Sequence, residues 1–359
     1  MVHFQCDYLE GADPRVLEAL LDANARQRSG YGEDDACQEA RSLIRELAAC
    51  PEAEVHFLVG GTQANLTVIS SALRPWEGVL CAATGHINVH ETGAIEATGH
   101  KVLALPGQEG KLSARQVQEA CQAHHQDATH EHMVKPAMVY ISHPTELGTL
   151  YTREELEALS ATCKSLGLLL FLDGARLGYG LAADSRVDLP FLAQCCDAFT
   201  IGGTKAGLLF GEVVVLANPA HWPCFRYAMK QRGGMLAKGW LLGVQFMALL
   251  KDGYYVQSCA RANAAAQAVK RAFVDKGFPL LADTVTNQVF PILPKALILR
   301  LGENYGFAHW EQVDEGHAAV RFCVSVTTPQ GAVQELLEEI SRIGKGELLK
   351  NCEIVRILP

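Results

Sequence analysis

The run "LGLLLFLD" at 166–173 limits the fold more than any other stretch. It is apolar almost throughout and ends in an acid. A strand that never alternates with polar residues needs cover on both faces. The same texture recurs at "GVLCAA" (78–83), "KVLALP" (101–106), "AMVYIS" (137–142), "DAFTIG" (197–202) and "FGEVVVLAN" (210–218), after an opening "EVHFLV" (54–59). Helical segments separate these runs. One begins with "TREE" (152–155), a capping box ahead of the apolar positions of "LEAL". Another, "ADPRVLEALLDANARQRSG", has Asp13 as N-cap, Pro14 in the first turn and Gly30 past its end. Strands and helices in alternation predict an α/β fold with a mostly parallel sheet and right-handed crossovers.

Beyond residue 250 the texture changes. The long helix "RANAAAQAVKRAFVDKG" leads into a strand-like "NQVFPIL". A helix near 295–305, a strand "AAVRFCVSV" and a last helix "PQGAVQELLEEISRIG" follow. The expected division is an N-terminal segment (1–30) packing with the small domain, a large α/β domain (31–250), a small C-terminal α+β domain (251–345) and a tail (346–359).

A net charge of −9 over 359 residues gives no basic surface for a nucleic acid. No apolar run is long enough to span a bilayer. Twelve cysteines are scattered without a CxxC pair, and "MVHFQCDYLEG" shows no basic region ahead of an apolar run. Reduced, partly buried thiols and a cytoplasmic location are expected, and no metal site.

Three features at or just beyond strand ends carry the chemistry. In "LVGGTQAN" (58–65) a strand, two glycines, a threonine and a helix start make an anion site, where free N–H groups meet the positive end of the helix dipole. Alone, it also reads as a tight turn that needs glycine. In "LFLDGARLG", Asp173 closes an apolar strand and Arg176 follows three residues later. A carboxylate there needs a positive partner, from inside the chain or from a ligand. In "FTIGGTKAGLLFG", Lys205 has no acid within several residues and is wrapped in glycine. Together these are the groups that pyridoxal phosphate demands: a lysine for the Schiff base, an acid for the pyridine nitrogen and a helix start for the phosphate. His86, in "TGHINVHETGA", sits just past a strand and can cover the ring face.

The ordered set "GYGED", "GGTQAN", "GHINVHETGA", "DGARLG" and "GGTKAG" resembles the low-specificity threonine aldolase / β-eliminating lyase family over nearly the whole chain. The resemblance implies a fold type I, aspartate-aminotransferase-like enzyme that uses pyridoxal phosphate. It makes Lys205 the Schiff-base lysine, Asp173 the partner of the pyridine nitrogen and His86 the stacking group. It gives Gly61, Thr62 and Thr204 to the phosphate, and Arg176 and Arg321 to the substrate carboxylate through their planar forks. Tyr31 would reach toward a neighbouring subunit, so a homodimer or homotetramer is implied.

The chain departs from the family pattern in three places. Cys6 stands where relatives carry serine in the N-terminal motif, at a substrate contact. Leu236 takes the place of the phosphate-binding arginine in "RGGMLAKG", which leaves Lys238 as the nearby charge. "SHPTELG" replaces "ENTH", so Thr145 keeps one cofactor position and Glu146 follows it. The implied reaction is retro-aldol cleavage of threonine, allo-threonine or a related 3-hydroxy amino acid to glycine and an aldehyde. β-Elimination and transamination are the alternatives. His86, or His130 or His132 in "DATHEHMVKP", is the candidate base for the β-hydroxyl.

Overall fold

The computed structural model describes residues 1–343, so the expected tail at 346–359 lies outside the described residues. After a two-residue strand β1 (Val2–His3), a seven-stranded sheet forms from β2 (Glu54–Leu58), β3 (Glu77–Ala82), β4 (Lys101–Leu105), β5 (Lys135–Ser142), β6 (Leu169–Asp173), β7 (Ala198–Gly202) and β8 (Glu212–Leu216). Its order is β2-β8-β7-β6-β5-β3-β4. Strands β4, β3, β5, β6 and β7 are mutually parallel, and β8 runs against both β7 and β2. The reversal has a local cause. Only the loop between Gly202 and Glu212 separates β7 from β8, too short for a crossover helix.

The unbroken apolar runs now have their reason. Leu170 and Leu172 of β6 face one core, and Phe171 between them faces the other. The same alternation places Val139 and Ile141 of β5 on the first side and Met138 and Tyr140 on the second. Helices cover both faces. They are α1 (Pro14–Asn24), α2 (Asp35–Leu47), α3 (Gly61–Ala72), the single turn α4 (His86–Val89), α5 (Ala114–Gln126), α6 (Arg153–Leu166), α7 (Leu177–Ala183), α8 (Leu189–Cys195), α9 (Phe225–Gln231) and α10 (Trp240–Leu250). The capping box forms at Thr152 and Glu155. Asp13 caps α1, which stops at Asn24, well short of Gly30.

The long α11 (Tyr254–Asp275) is followed by β9 (Gln288–Val289), β10 (Ile292–Pro294), α12 (Lys295–Gly302), β11 (Tyr305–Gly306), β12 (Ala308–Gln312), β13 (His317–Cys323) and α13 (Gln330–Arg342). Helix α11 serves both cores. Tyr255, Cys259 and Ala262 pack with the large sheet, whereas Ala266, Val269 and Phe273 join Phe322, Leu336 and Ile340 of the small unit. The N-terminal segment also divides. Strand β1 pairs with β11 and Phe4 enters the small core, but Ala23 of α1 packs with Ala36 and Val244 of the large unit. The eleven cysteines among the described residues are free thiols, most of them buried. No helix among these residues is long and apolar enough to cross a membrane.

Candidate active site

The parallel strands deliver their C-terminal ends to one edge. A cavity of about 160 Å³ opens there, lined by Gly61 and Thr62 after β2, His86 after β3, Ser142 and Glu146 after β5, Asp173 to Arg176 after β6, and Lys205 after β7. A wider outer cavity of about 630 Å³ adjoins it, with Tyr8, His90, Trp310 and Arg321 in its wall. Four residues line both: His86, Glu146, Arg176 and Lys205.

Lys205 rides the tight β7–β8 loop. The N–H groups of Gly203 and Thr204 both donate to the Gly211 carbonyl, and Gly207 turns the chain at φ +101°. A Cβ on Gly202 would lie 2.2 Å from the Ala175 carbonyl oxygen. Glycine there lets the strand end press against the turn that follows Asp173. The Lys205 amine makes no hydrogen bond among the described residues. Burial lowers its pKa and the nearby Arg176 guanidinium lowers it further, against the pull of Asp7, Glu212 and Asp173. A lysine with a lowered pKa and no partner is an available nucleophile. Glu212 is buried beside it. Burial pushes its carboxyl up to about 8, although Lys205 pulls the other way.

Asp173 is held from three sides. Its Oδ2 accepts from Tyr140 Oη at 2.6 Å and Asn65 Nδ2 at 2.9 Å, and its Oδ1 from the Ala175 N–H at 2.8 Å. The network continues in both directions. Asn65 Nδ2 also reaches Glu91 Oε1 at 2.8 Å, and that oxygen meets His86 Nδ1 at 2.8 Å. Ser142 Oγ lies 3.3 Å from the Tyr140 hydroxyl and donates to Glu146 Oε1 at 2.6 Å. The His86 N–H closes the ring on the same Glu146 oxygen at 2.9 Å. Seven side chains thus fix one another around the cavity. Tyr140, Asn65 and Ser142 carried no sequence-level assignment. Asn65 is one helical turn past Thr62, and strand alternation sets Tyr140 and Ser142 on one face of β5.

Helix α3 begins at Gly61 without a capping side chain. A Cβ on Gly60 or Gly61 would meet nothing within 4 Å. The first turn therefore offers free N–H groups and the positive dipole end to open space.

The remaining sequence candidates fall in different places. Arg176 lines the cavity, but its fork is engaged by Asp7: Nε donates to Oδ2 at 2.6 Å and Nη2 to Oδ1 at 3.0 Å. Asn287 donates to Asp7 as well, at 2.9 Å. The Nε–Nη2 edge of Arg176 is thus committed to Asp7. Arg321 stacks over Trp310 at 5.2 Å and gives Nη2 to the Gln5 carbonyl at 2.8 Å. Its Nε has no partner. Cys6 is in neither cavity wall, whereas Tyr8, two residues on, lines the outer one. Thr204 turns its hydroxyl to the Gly211 N–H at 3.0 Å, and Thr145 is bonded to Thr149 at 2.6 Å. Neither lines the cavity. Lys238 is exposed, in the segment that packs on Gly30 to Gly32. Tyr31 stands there too, half-exposed at φ +59°, with the Lys230 ammonium 4.6 Å from its ring centre. His130 and His132 precede β5, at the far end of the strand from Ser142, and neither lines this cavity.

A family model described as β-eliminating lyase matches residues 6–295. The chain belongs to the β-eliminating lyase family. It is 32% identical over 345 residues to the low specificity L-threonine aldolase of Pseudomonas sp. (strain NCIMB 10558), covering 95% of this chain and 97% of that one. The enzyme of the same name from Pseudomonas aeruginosa is 31% identical, with 94% and 96% covered. A solved threonine aldolase of Leishmania major superposes with a TM-score of 0.92 at 43% identity, covering 95% and 99%. Enzymes of the β-eliminating lyase family work with pyridoxal phosphate and have the fold type I architecture seen here. The residues present fit that group. The uncapped α3 start faces open space, the Lys205 amine lacks a partner, and Asp173 presents a carboxylate fixed by three donors.

Proposed function

We infer that this chain is a pyridoxal-phosphate-dependent lyase that cleaves L-threonine, L-allo-threonine or a related 3-hydroxy amino acid to glycine and an aldehyde. The single observation that carries this reading is the unpartnered Lys205 amine in a cavity shared with Asp173 and the bare start of α3. Full-length similarity to threonine aldolases selects the bond to be broken.

When bound, pyridoxal phosphate supplies an electron sink conjugated to the substrate's Cα. Lys205 would hold its aldehyde carbon, the N–H groups of Gly61 and Thr62 its phosphate, Asp173 its ring nitrogen and His86 its ring face. The hydrogen bond to Glu91 sets the His86 ring. Arg321, in the wall of the outer cavity, is the group for the substrate carboxylate. Arg176, locked to Asp7, shapes the wall and its charge. Fixing the carboxylate sets the torsion about Cα, so that the bond to Cβ can align for cleavage.

The assembly proposed is a homo-oligomer in the cytoplasm. Tyr31, Tyr227, Lys230 and Met235 line one open apolar groove, where Tyr227 is 81% exposed. Such a face suits a second copy of the chain. Free thiols suit a reducing compartment.

The test is product analysis with purified protein and pyridoxal phosphate. L-Threonine gives acetaldehyde and glycine if the reading is right. Pyruvate and ammonia from a β-substituted alanine, without cleavage of threonine, would replace it with β-elimination.

A further inference from the structure

We propose that Glu146 is the catalytic base that takes the β-hydroxyl proton during Cα–Cβ cleavage, an inference that rests on the aldol reading of the site. Glu146 lines the inner and outer cavities alike, at the junction where the substrate side chain must pass. Its carboxylate is oriented. Oε1 accepts from Ser142 Oγ at 2.6 Å and from the His86 N–H at 2.9 Å. Oε2 accepts no hydrogen bond from another described residue. No cation pairs with this carboxylate among the described residues. A buried acid held by one oxygen and left without a counter-charge is costly as a structural element.

The other groups at the junction have roles of their own. The Arg176 fork is on Asp7. Lys205 is the cofactor's lysine, and His86, its ring set by the Nδ1 bond to Glu91, covers the ring face. Glu146 Oε2 is an acceptor at this junction that no other described residue holds. Burial raises the carboxyl pKa, with the nearby Asp173 charge adding to it, while Ser142 and the His86 N–H oppose. A carboxylate so tuned is a stronger base than one in water.

The step balances. The O–H proton of the substrate passes to Glu146 Oε2 as the C–O bond becomes C=O. The Cα–Cβ bond breaks and its electron pair stays on Cα, where a returning proton completes glycine.

The experiment compares the holoenzyme with its Glu146→Gln variant, which keeps the side-chain shape and the Ser142 and His86 contacts on the amide oxygen. Two quantities are read. One is kcat for L-threonine. The other is the dissociation constant of glycine by calorimetry, since glycine has no β-hydroxyl to deprotonate. The expected result is a fall in kcat of about a hundredfold, with glycine affinity within about threefold of the parent. A fall of less than about tenfold overturns the proposal, because general-base help is worth about 10²–10⁴. A parallel loss of glycine binding also overturns it, since it marks a structural role. If the parent enzyme makes no aldehyde from threonine, the aldol reading itself falls. If the parent cleaves and the variant cleaves equally, only the assignment of the base falls.

Discussion

The hydroxyl of Tyr140 donates to Oδ2 of Asp173 at 2.6 Å, both side chains being buried and Asp173 lining the cavity. The strands they sit on are adjacent and parallel, with Ser142 opposite Asp173 in register. The carboxylate proposed to face the cofactor nitrogen is thus set by the sheet itself. Tyr140→Phe removes one of three donors without changing the packing. A hydrogen bond to a charged group is worth ~1.5–3 kcal/mol, so cofactor affinity should weaken about tenfold or more. Equilibrium titration with pyridoxal phosphate checks this, and an unchanged dissociation constant would show that Asn65 and Ala175 suffice.

Asp7 and Arg176 form a bidentate pair across 169 residues of sequence, and the Asp7 side chain is fully buried. Burial alone would raise the Asp7 pKa, but the charges of Arg176 and Lys205 bring it down to about 2. Removing one partner of a buried pair costs about 3–5 kcal/mol. Asp7→Asn should therefore shift the urea midpoint strongly downward, whereas Glu119→Gln, in the exposed pair with Arg115, should barely move it.

His143 gives a pH signature. It is buried, its Nε2 has no partner, and its Nδ1 accepts only a long bond from the Tyr151 N–H at 3.4 Å. Burial pulls its pKa from 6.5 down to about 4. The unfolded chain takes up this proton below about pH 6.5, and the folded chain does so only near pH 4. Stability is full above pH 6.5 and falls with pH through that window, by up to about 1.4 kcal/mol per pH unit from this one group. His143→Gln should flatten the difference between pH 7 and pH 5 in denaturant unfolding. An identical slope in the variant would contradict the assignment.

The apolar face around Tyr227 predicts an assembly. Tyr227→Asp should lower the molecular mass seen by light scattering, with the fold retained. An unchanged mass would place the interface elsewhere.

Much of the site was legible because its signals are local. Gly61, Thr62, Asp173 and Lys205 each follow an apolar strand, and the α/β alternation alone sends such positions to one edge. Thr204 adjoins Lys205 and Thr145 follows β5, yet their hydroxyls turn elsewhere. Thr204 satisfies Gly211 and Thr145 meets Thr149, choices made by loop geometry that composition does not encode. Arg176 was read as a carboxylate fork, and its pairing with Asp7, 169 residues away, had no signal in its own neighbours. Tyr140 and Asn65 escaped notice because their role comes from register between β5 and β6 and from the angle of α3, not from their own neighbours. The antiparallel β8 follows from the shortness of the Lys205 loop. That α11 packs in two cores had no signal, since a long amphipathic helix looks the same whether it serves one core or two.

The central claim is that the ε-amine of Lys205 is the point of covalent attachment for pyridoxal phosphate. Borohydride reduction of the cofactor-loaded protein, followed by peptide mapping, tests it directly. The account predicts one reduced pyridoxyl adduct, on the peptide carrying Lys205, and none in a Lys205→Ala variant. An adduct on another lysine such as Lys238, or no adduct at all, would contradict it.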